Sequence, residues 1–186
     1  MSIRRNDWGD EEIRKELRRR PVDGQLRYLT CSCRHRLPLF GNDRIKQVFV
    51  ERLYHERERH GFELWAWVVM ANHVHLLLRP ARGADVPGIL WCLKRSIASE
   101  VVGRWRELDA PVLRRITDKN GRARFWDPGG GYDHNVISAE RRRQKVLYIH
   151  ENPVRKGICT EPTDYPWSSA RSYAGWDGAW AIDGRV

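Results

Sequence analysis

Between Phe62 and Pro80 the chain reads FELWAWVVMANHVHLLLRP, two apolar runs parted by a very short break. Both are dense in β-branched, aromatic and aliphatic residues, which suit a pleated, buried surface. The spacing predicts a β-hairpin, and a hairpin this apolar must form part of a larger sheet. On a strand, residues i and i+2 share a face. His73 and His75 should therefore project together, with Val74 and Leu76 on the opposite side. The same rule puts Trp65 and Trp67 on a common face. Two imidazoles on one face of a rigid strand suit a divalent metal, but two ligands do not complete a site.

The flanking segments supply the rest of a fold. QLRYLTCSCR, from Gln25, reads as a strand. GNDRIKQVFVERLYHERERHG follows with Ile45, Val48, Phe49, Leu53 and Glu56 at helical spacing and Gly61 as a stop. After the hairpin, DVPGILWCLKRSIASEVVGRW carries Leu90, Leu93, Ile97 and Val101 on one stripe. The order strand, helix, strand, strand, helix is most of a ferredoxin-like split βαβ unit. The predicted class is α+β, a ferredoxin-like (RNA-recognition-like) antiparallel sheet with helices packed on it.

Farther on, VLRRITDKNGRARFWD reads as two short strand-like pieces around an Asn120–Gly121 turn, and PGGGYDH as a loop. SAERRRQKVLYIHE reads as a helix capped by Ser138 and ended by Pro153, because the residue before a proline is pushed out of the α region. Neither repeats nor low-complexity linkers interrupt the chain. The reading is a basic helix or arm over 1–24, one domain over 25–175 and a tail over 176–186.

The 186 residues carry a net charge of +10, a balance that suits a polyanionic partner, with nucleic acid the usual one. Cys31, Cys33, Cys92 and Cys159 lack the C-x-x-C spacing of a structural zinc site and read as thiols of a reducing, cytoplasmic protein. No apolar run reaches the length of a membrane span, and MSIRRNDWGDEE has no signal-peptide apolar region.

The helix before Pro153 offers a partner for the histidines. Tyr148 and Asn152 are four residues apart and share a helical face. His73, His75 and Asn152 would supply two nitrogens and one oxygen, an open set suited to Mg²⁺ or Mn²⁺ acting on phosphate. Tyr148 would then be the nucleophile. A phenol, with a reference pKa of about 10, needs a base, a cation or a metal-assembled environment to act at neutral pH. A phosphotyrosine link keeps the transfer potential of the cleaved bond, which allows a DNA end to be rejoined.

NHVHLLL resembles the HUH motif, His-hydrophobic-His, of single-stranded-DNA nucleases and transposases. YIHENPVRKGI with YPWSSARSYAG closely resembles the carboxy-terminal signature of REP-associated tyrosine transposases, domesticated relatives of the single-tyrosine HUH transposases. The resemblance runs from about Gln25 to Gly175. It implies a ferredoxin-like fold, a 5′-phosphotyrosine intermediate and recognition of short palindromic hairpins flanked by a single-stranded tetranucleotide. By position, His73 and His75 match the metal histidines and Tyr148 the nucleophile. Asn152 falls where relatives place a polar helix residue near the metal. The glycine run of RFWDPGGGYDHNVI is longer than in compact relatives, and DEEIRKELRRR has no counterpart. Relatives act as dimers or monomers, so either state is expected here.

The DNA-contacting candidates are Arg141, Arg142, Arg143, Lys145 and Arg155 on the tyrosine helix, with Lys94 and Arg95 on the preceding one, joined by Arg104 and Arg106 in a phosphate-binding surface. His150 should lie on another helical face as a surface or packing residue. Asp133 and His134 are read as loop-stabilising, and Trp126 and Trp167 as core. Two other functions fit parts of the pattern. A histidine-triad nucleotide hydrolase would need a third histidine where Leu77 stands. A non-catalytic hairpin DNA- or RNA-binding module could use the same fold.

Overall fold

The computed structural model describes residues 24–128 and 131–186; the expected amino-terminal helix over 10–20 lies outside them. Nine elements are used below: β1 (Leu26–Ser32), α1 (Asp43–His60), β2 (Glu63–Val69), β3 (His73–Arg79), α2 (Val86–Glu107), α3 (Leu113–Ile116), β4 (Tyr132–Val136), α4 (Ala139–Arg155) and α5 (Ala170–Tyr173). The strands form one antiparallel sheet in the order β2-β3-β1-β4. Its βαββαβ connectivity is the ferredoxin-like arrangement expected from sequence.

Both faces of the sheet are covered. Leu29, Cys31, Val74, Leu76 and Leu78 point towards α1 and α2, where Phe49, Leu53, Leu93 and Ile97 complete the larger core. Cys31 and Cys33 are both buried there, as expected. Leu26, Tyr28, Val68 and Leu77 point the other way and meet Val146, Tyr148 and Ile149 of α4. The period-2 pattern thus sends alternate residues into two cores. Helix α1 starts at Asn42, whose side chain accepts from the Arg44 amide, and stops at Gly61 in the left-handed region.

Four local expectations are corrected. A bulge between Leu64 and Ala66 breaks the alternation in β2, so Trp65 joins the α4 core while Trp67 joins the α1–α2 core. The upstream strand-like piece of VLRRITDKNGRARFWD is instead the short helix α3. A single bridge, Thr117 to Ala123, closes the turn at Gly121. The expected loop PGGGYDH already contains the start of β4, an edge strand whose polar residues hid it. Pro153 does not end α4, which continues to Arg155. The proline lacks the amide that would bond the carbonyl one turn back, but its ring is buried and the helix runs only two residues past it.

Gly131 explains part of the glycine run. Its φ is +80°, and a β-carbon there would overlap the Thr30 carbonyl of β1. Gly131→Ala should lower the free energy of unfolding by about 2 kcal/mol or more, from strain plus overlap, in urea denaturation. A variant as stable as wild type would show that β4 does not depend on this close approach.

After α4 the chain returns along the free edge of β2. The Val69 amide donates to the Trp167 carbonyl (2.9 Å), and the Ser169 amide to the Trp67 carbonyl (3.0 Å). Farther on, the Asp183 amide donates to the Leu64 carbonyl (2.9 Å), so part of the segment expected as a tail is docked on the sheet. This cover satisfies an edge otherwise open to strand addition.

Candidate active site between sheet and tyrosine helix

His73 and His75 project from β3 on the α4 side, with their ring centroids 4.7 Å apart. Across the gap, the Tyr148 ring lies 5.4 Å from that of His75. Chain positions 73 residues apart thus meet at one place, because α4 packs directly on β2 and β3.

Each histidine is oriented by a neighbour that sequence reasoning missed. His73 Nδ1 lies 2.6 Å from Asn72 Oδ1. The amide oxygen can only accept, so Nδ1 carries the proton and Nε2 the lone pair. His75 Nδ1 lies 2.8 Å from both Tyr28 Oη and Thr30 Oγ1. Either hydroxyl can accept from Nδ1–H, and in that tautomer Nε2 carries the lone pair. His75 Nε2 is buried without a hydrogen-bond partner among the described residues. Such an orphaned imidazole nitrogen, its ring held by outer hydrogen bonds, fits a metal ligand. Burial, followed by the charges of His73, Lys145 and Arg36, holds the His75 pKa well below its ordinary value. His75 is therefore neutral near pH 7, as a ligand must be.

Tyr28 and Thr30 alternate on β1 in RYLTC, but only strand register shows that Thr30 stands beside His75. The Tyr28 ring also stacks on His75 (centroids 5.5 Å apart) and meets Tyr148 edge-on (6.2 Å). Burial first, then the neighbouring phenols, keeps Tyr28 protonated against the opposing hydrogen bond from Thr30. Tyr28 is a positioning residue for His75. Where His75 serves as a metal ligand, Tyr28→Phe should reduce metal affinity by about 10- to 100-fold, the usual effect of removing an outer partner of a ligand. Isothermal titration with Mn²⁺ would measure it, and unchanged affinity would remove Tyr28 from the site.

Asn152 is buried one helical turn beyond Tyr148. Positive charge surrounds the tyrosine. Lys145 Nζ stands 4.6 Å from the Tyr28 ring centroid and 5.9 Å from that of Tyr148, and the Arg155 guanidinium lies 5.0 Å from the Tyr148 ring. Arg155 also pairs with Glu151 at 3.1 Å. Beside β3, the turn Arg34–Arg36 holds two successive non-glycine residues, His35 and Arg36, at positive φ. Its Arg36 carbonyl accepts from Asn72 Nδ2 (3.3 Å), which places a strained basic turn next to the histidine pair.

The structure separates the expected DNA-contacting cations. Arg141, Arg142, Arg143, Lys145 and Arg155 lie on α4, the site side of the sheet. Lys94 and Arg95 lie on α2, which packs on the other face, beside Trp126 and Trp91 respectively. A single phosphate-binding surface joining both helices is therefore not formed directly across the sheet. Arg104 is paired with Glu107 at 2.8 Å. Trp126 is buried, and its indole donates to the Lys94 carbonyl (2.9 Å). Asp133 binds Arg27 through both carboxylate oxygens on the far face, whereas His134 stacks on Tyr132.

His150 is a packing residue. Its Nε2 lies 2.9 Å from Ser169 Oγ, and Ser169 Oγ accepts from the Trp67 amide (3.0 Å), so the imidazole ties α4 to the segment covering β2. Burial lowers its pKa from 6.5 to about 4. The unfolded chain then binds a proton that the folded chain refuses. Stability from this group is complete above about pH 6.5 and is lost as pH falls towards about 4. The expected loss over that window is about 3 kcal/mol, read by urea denaturation, and His150→Gln should flatten the dependence. An unaltered pH slope in the variant would exclude His150 as its source.

These features define a ferredoxin-like α+β protein with a histidine pair on its sheet facing a helix-borne tyrosine. Comparison with known proteins makes the relation more particular. A REP-associated tyrosine transposase of Escherichia coli (strain K12) is 25% identical over 154 residues, 83% of this chain and 81% of that one. The structure of a REP-associated tyrosine transposase bound to a REP hairpin matches with a TM-score of 0.68, at 22% identity and 92% coverage of both chains. No family model matches. The chain is thus similar to the REP-associated tyrosine transposases, the family its motifs resemble, and shares the fold of the hairpin-bound one. Among the described residues, no helix is long and apolar enough to cross a membrane.

Proposed function

We propose that this protein is an enzyme that binds hairpin DNA of the REP type and cleaves and rejoins the adjoining single strand through Tyr148. The observation carrying this reading is the convergence of the buried side chains of His73, His75 and Tyr148 between sheet and helix. The two transposase relatives support it, one of them bound to a REP hairpin.

His73, His75 and Asn152 would hold Mg²⁺ or Mn²⁺, and the orphaned His75 nitrogen is the feature that fits such an ion. When bound, the ion would polarise the scissile phosphodiester and offset the charge that builds on its oxygens. The remaining work falls to the chain. Tyr28, Thr30 and Asn72 hold the imidazoles in the ligand tautomer. Lys145 and Arg155, beside the Tyr148 ring, would attract the phosphate. The Tyr148 oxygen attacks phosphorus, an O–P bond forms and the P–O3′ bond breaks. The phenol proton leaves to solvent, and the departing 3′ oxygen gains one. Because one phosphodiester replaces another, attack by a 3′ hydroxyl can reverse the step and rejoin the strand. Arg141, Arg142 and Arg143 would steer the hairpin backbone towards α4. Lys94 and Arg95 would serve a separate DNA segment on the α2 side.

The test is incubation with labelled hairpin oligonucleotides carrying a single-stranded flank and Mn²⁺, followed by a denaturing gel. A slow covalent protein–DNA band is expected, dependent on hairpin and metal. Hairpin binding without cleavage under any divalent metal would leave a binding module on the same fold.

A further inference from the structure

A second cluster of ligand-type side chains lies on the opposite side of the sheet. Glu56 and His60 stand four residues apart on one face of α1, and Cys92 reaches them from α2. Their ligand atoms all lie within 4.8 Å of one another. Glu56 is only 3% exposed, yet its Oε2 has no hydrogen-bond partner among the described residues. His60 Nε2 is likewise buried and without such a partner. The two atoms approach to 3.1 Å without forming an aligned hydrogen bond. Donor atoms of this kind, close but not aimed at each other, suit two ligands sharing an ion. The other charges facing the carboxylate, His55 Nδ1 at 3.7 Å and Arg59 Nη1 at 3.8 Å, belong to exposed side chains at the rim.

We infer that Glu56, His60 and Cys92 form a Zn²⁺ site that links α1 to α2, separate from the histidine pair of β3. Thiolate, imidazole and carboxylate are all donors that zinc takes, and a hard ion such as Mg²⁺ would not select sulfur. Binding displaces the Cys92 thiol proton to solvent. The resulting thiolate and the Glu56 carboxylate neutralise both charges of the ion, while the His60 imidazole completes three protein ligands. Water fills the fourth position from the exposed side. A buried carboxylate oxygen that has no aligned hydrogen bond thereby gains a directed partner.

Co²⁺ is the probe, because only a site containing a thiolate gives a near-ultraviolet sulfur-to-cobalt charge-transfer band. Chelator-treated full-length protein should develop that band, together with visible tetrahedral bands, at one equivalent of Co²⁺, and Zn²⁺ should displace it. Cys92→Ser should abolish the band and weaken Zn²⁺ binding by more than about a hundredfold. Glu56→Gln should weaken binding, while His73→Ala with His75→Ala should leave the band intact. In the His73→Ala with His75→Ala background, Zn²⁺ should also raise the Tm, and adding Cys92→Ser should remove that rise. Absence of a thiolate band in wild type, or its survival in Cys92→Ser, overturns the assignment. Loss of hairpin cleavage has no bearing on either result.

Discussion

Tyr148→Phe should bind hairpin DNA like wild type and yet form no covalent protein–DNA product. Cleavage should fall on the order of 10³-fold or more, because the substitution removes the attacking oxygen itself. The substitution is also structurally mild. The Tyr148 ring, which packs against Tyr28 and His75 and is 8% exposed, is retained in phenylalanine. Loss of one hydroxyl should cost only about 1 kcal/mol of stability, so urea denaturation can separate a chemical defect from a folding defect. A Tyr148→Phe protein that cuts at the wild-type rate would reduce the tyrosine to a packing residue and remove the proposed nucleophile.

The second large effect belongs to the histidine pair. His73→Ala combined with His75→Ala should abolish metal-dependent cleavage while preserving most hairpin affinity. The cations assigned to the DNA backbone sit on α4 and α2, whereas the imidazoles sit on β3. Mn²⁺ should raise the Tm of the wild-type protein at this site and lose that effect in the variant. His75 is buried against Tyr28 and Thr30, so its truncation also takes a hydrogen-bond partner from two hydroxyls. His73→Gln, which keeps a polar side chain at the end of the strand, is the control for folding. Retained metal-dependent cleavage in a folded double variant would refute the ligand assignment.

Much of the sheet was legible because its signals are local and strong. The run LWAWVV…HVHLLL could form little other than buried strands, and Gly61 and Ser138 mark helix ends through backbone geometry that any context preserves. Weak local signals failed. The strand Tyr132–Val136 is short, polar and at an edge, so nothing in its composition separates it from the glycine loop before it. The bulge in β2 has no sequence mark either, and it redirects Trp65 away from Trp67. Pro153 misled for the opposite reason. Its rule describes a mean tendency, and burial of the ring outweighed it.

The candidate site divides in the same way. His73 and His75 on one face, and Tyr148 four residues before Asn152, follow from strand and helix periods alone. That Tyr148 stands 5.4 Å from His75 depends on α4 docking on the β2–β3 face, a long-range packing outcome that no local period encodes. Tyr28 and Thr30 enter only through the register of β1 against β3, since any one-residue slip would turn both away. The cluster of Glu56, His60 and Cys92 shows the contrast most sharply. Nothing in the cysteine spacing marks it, and only the contact of α1 with α2 brings one cysteine to a glutamate and histidine far away in the chain. Periodicity determines which way a side chain points within its own element; what it points at is decided by the packing between elements.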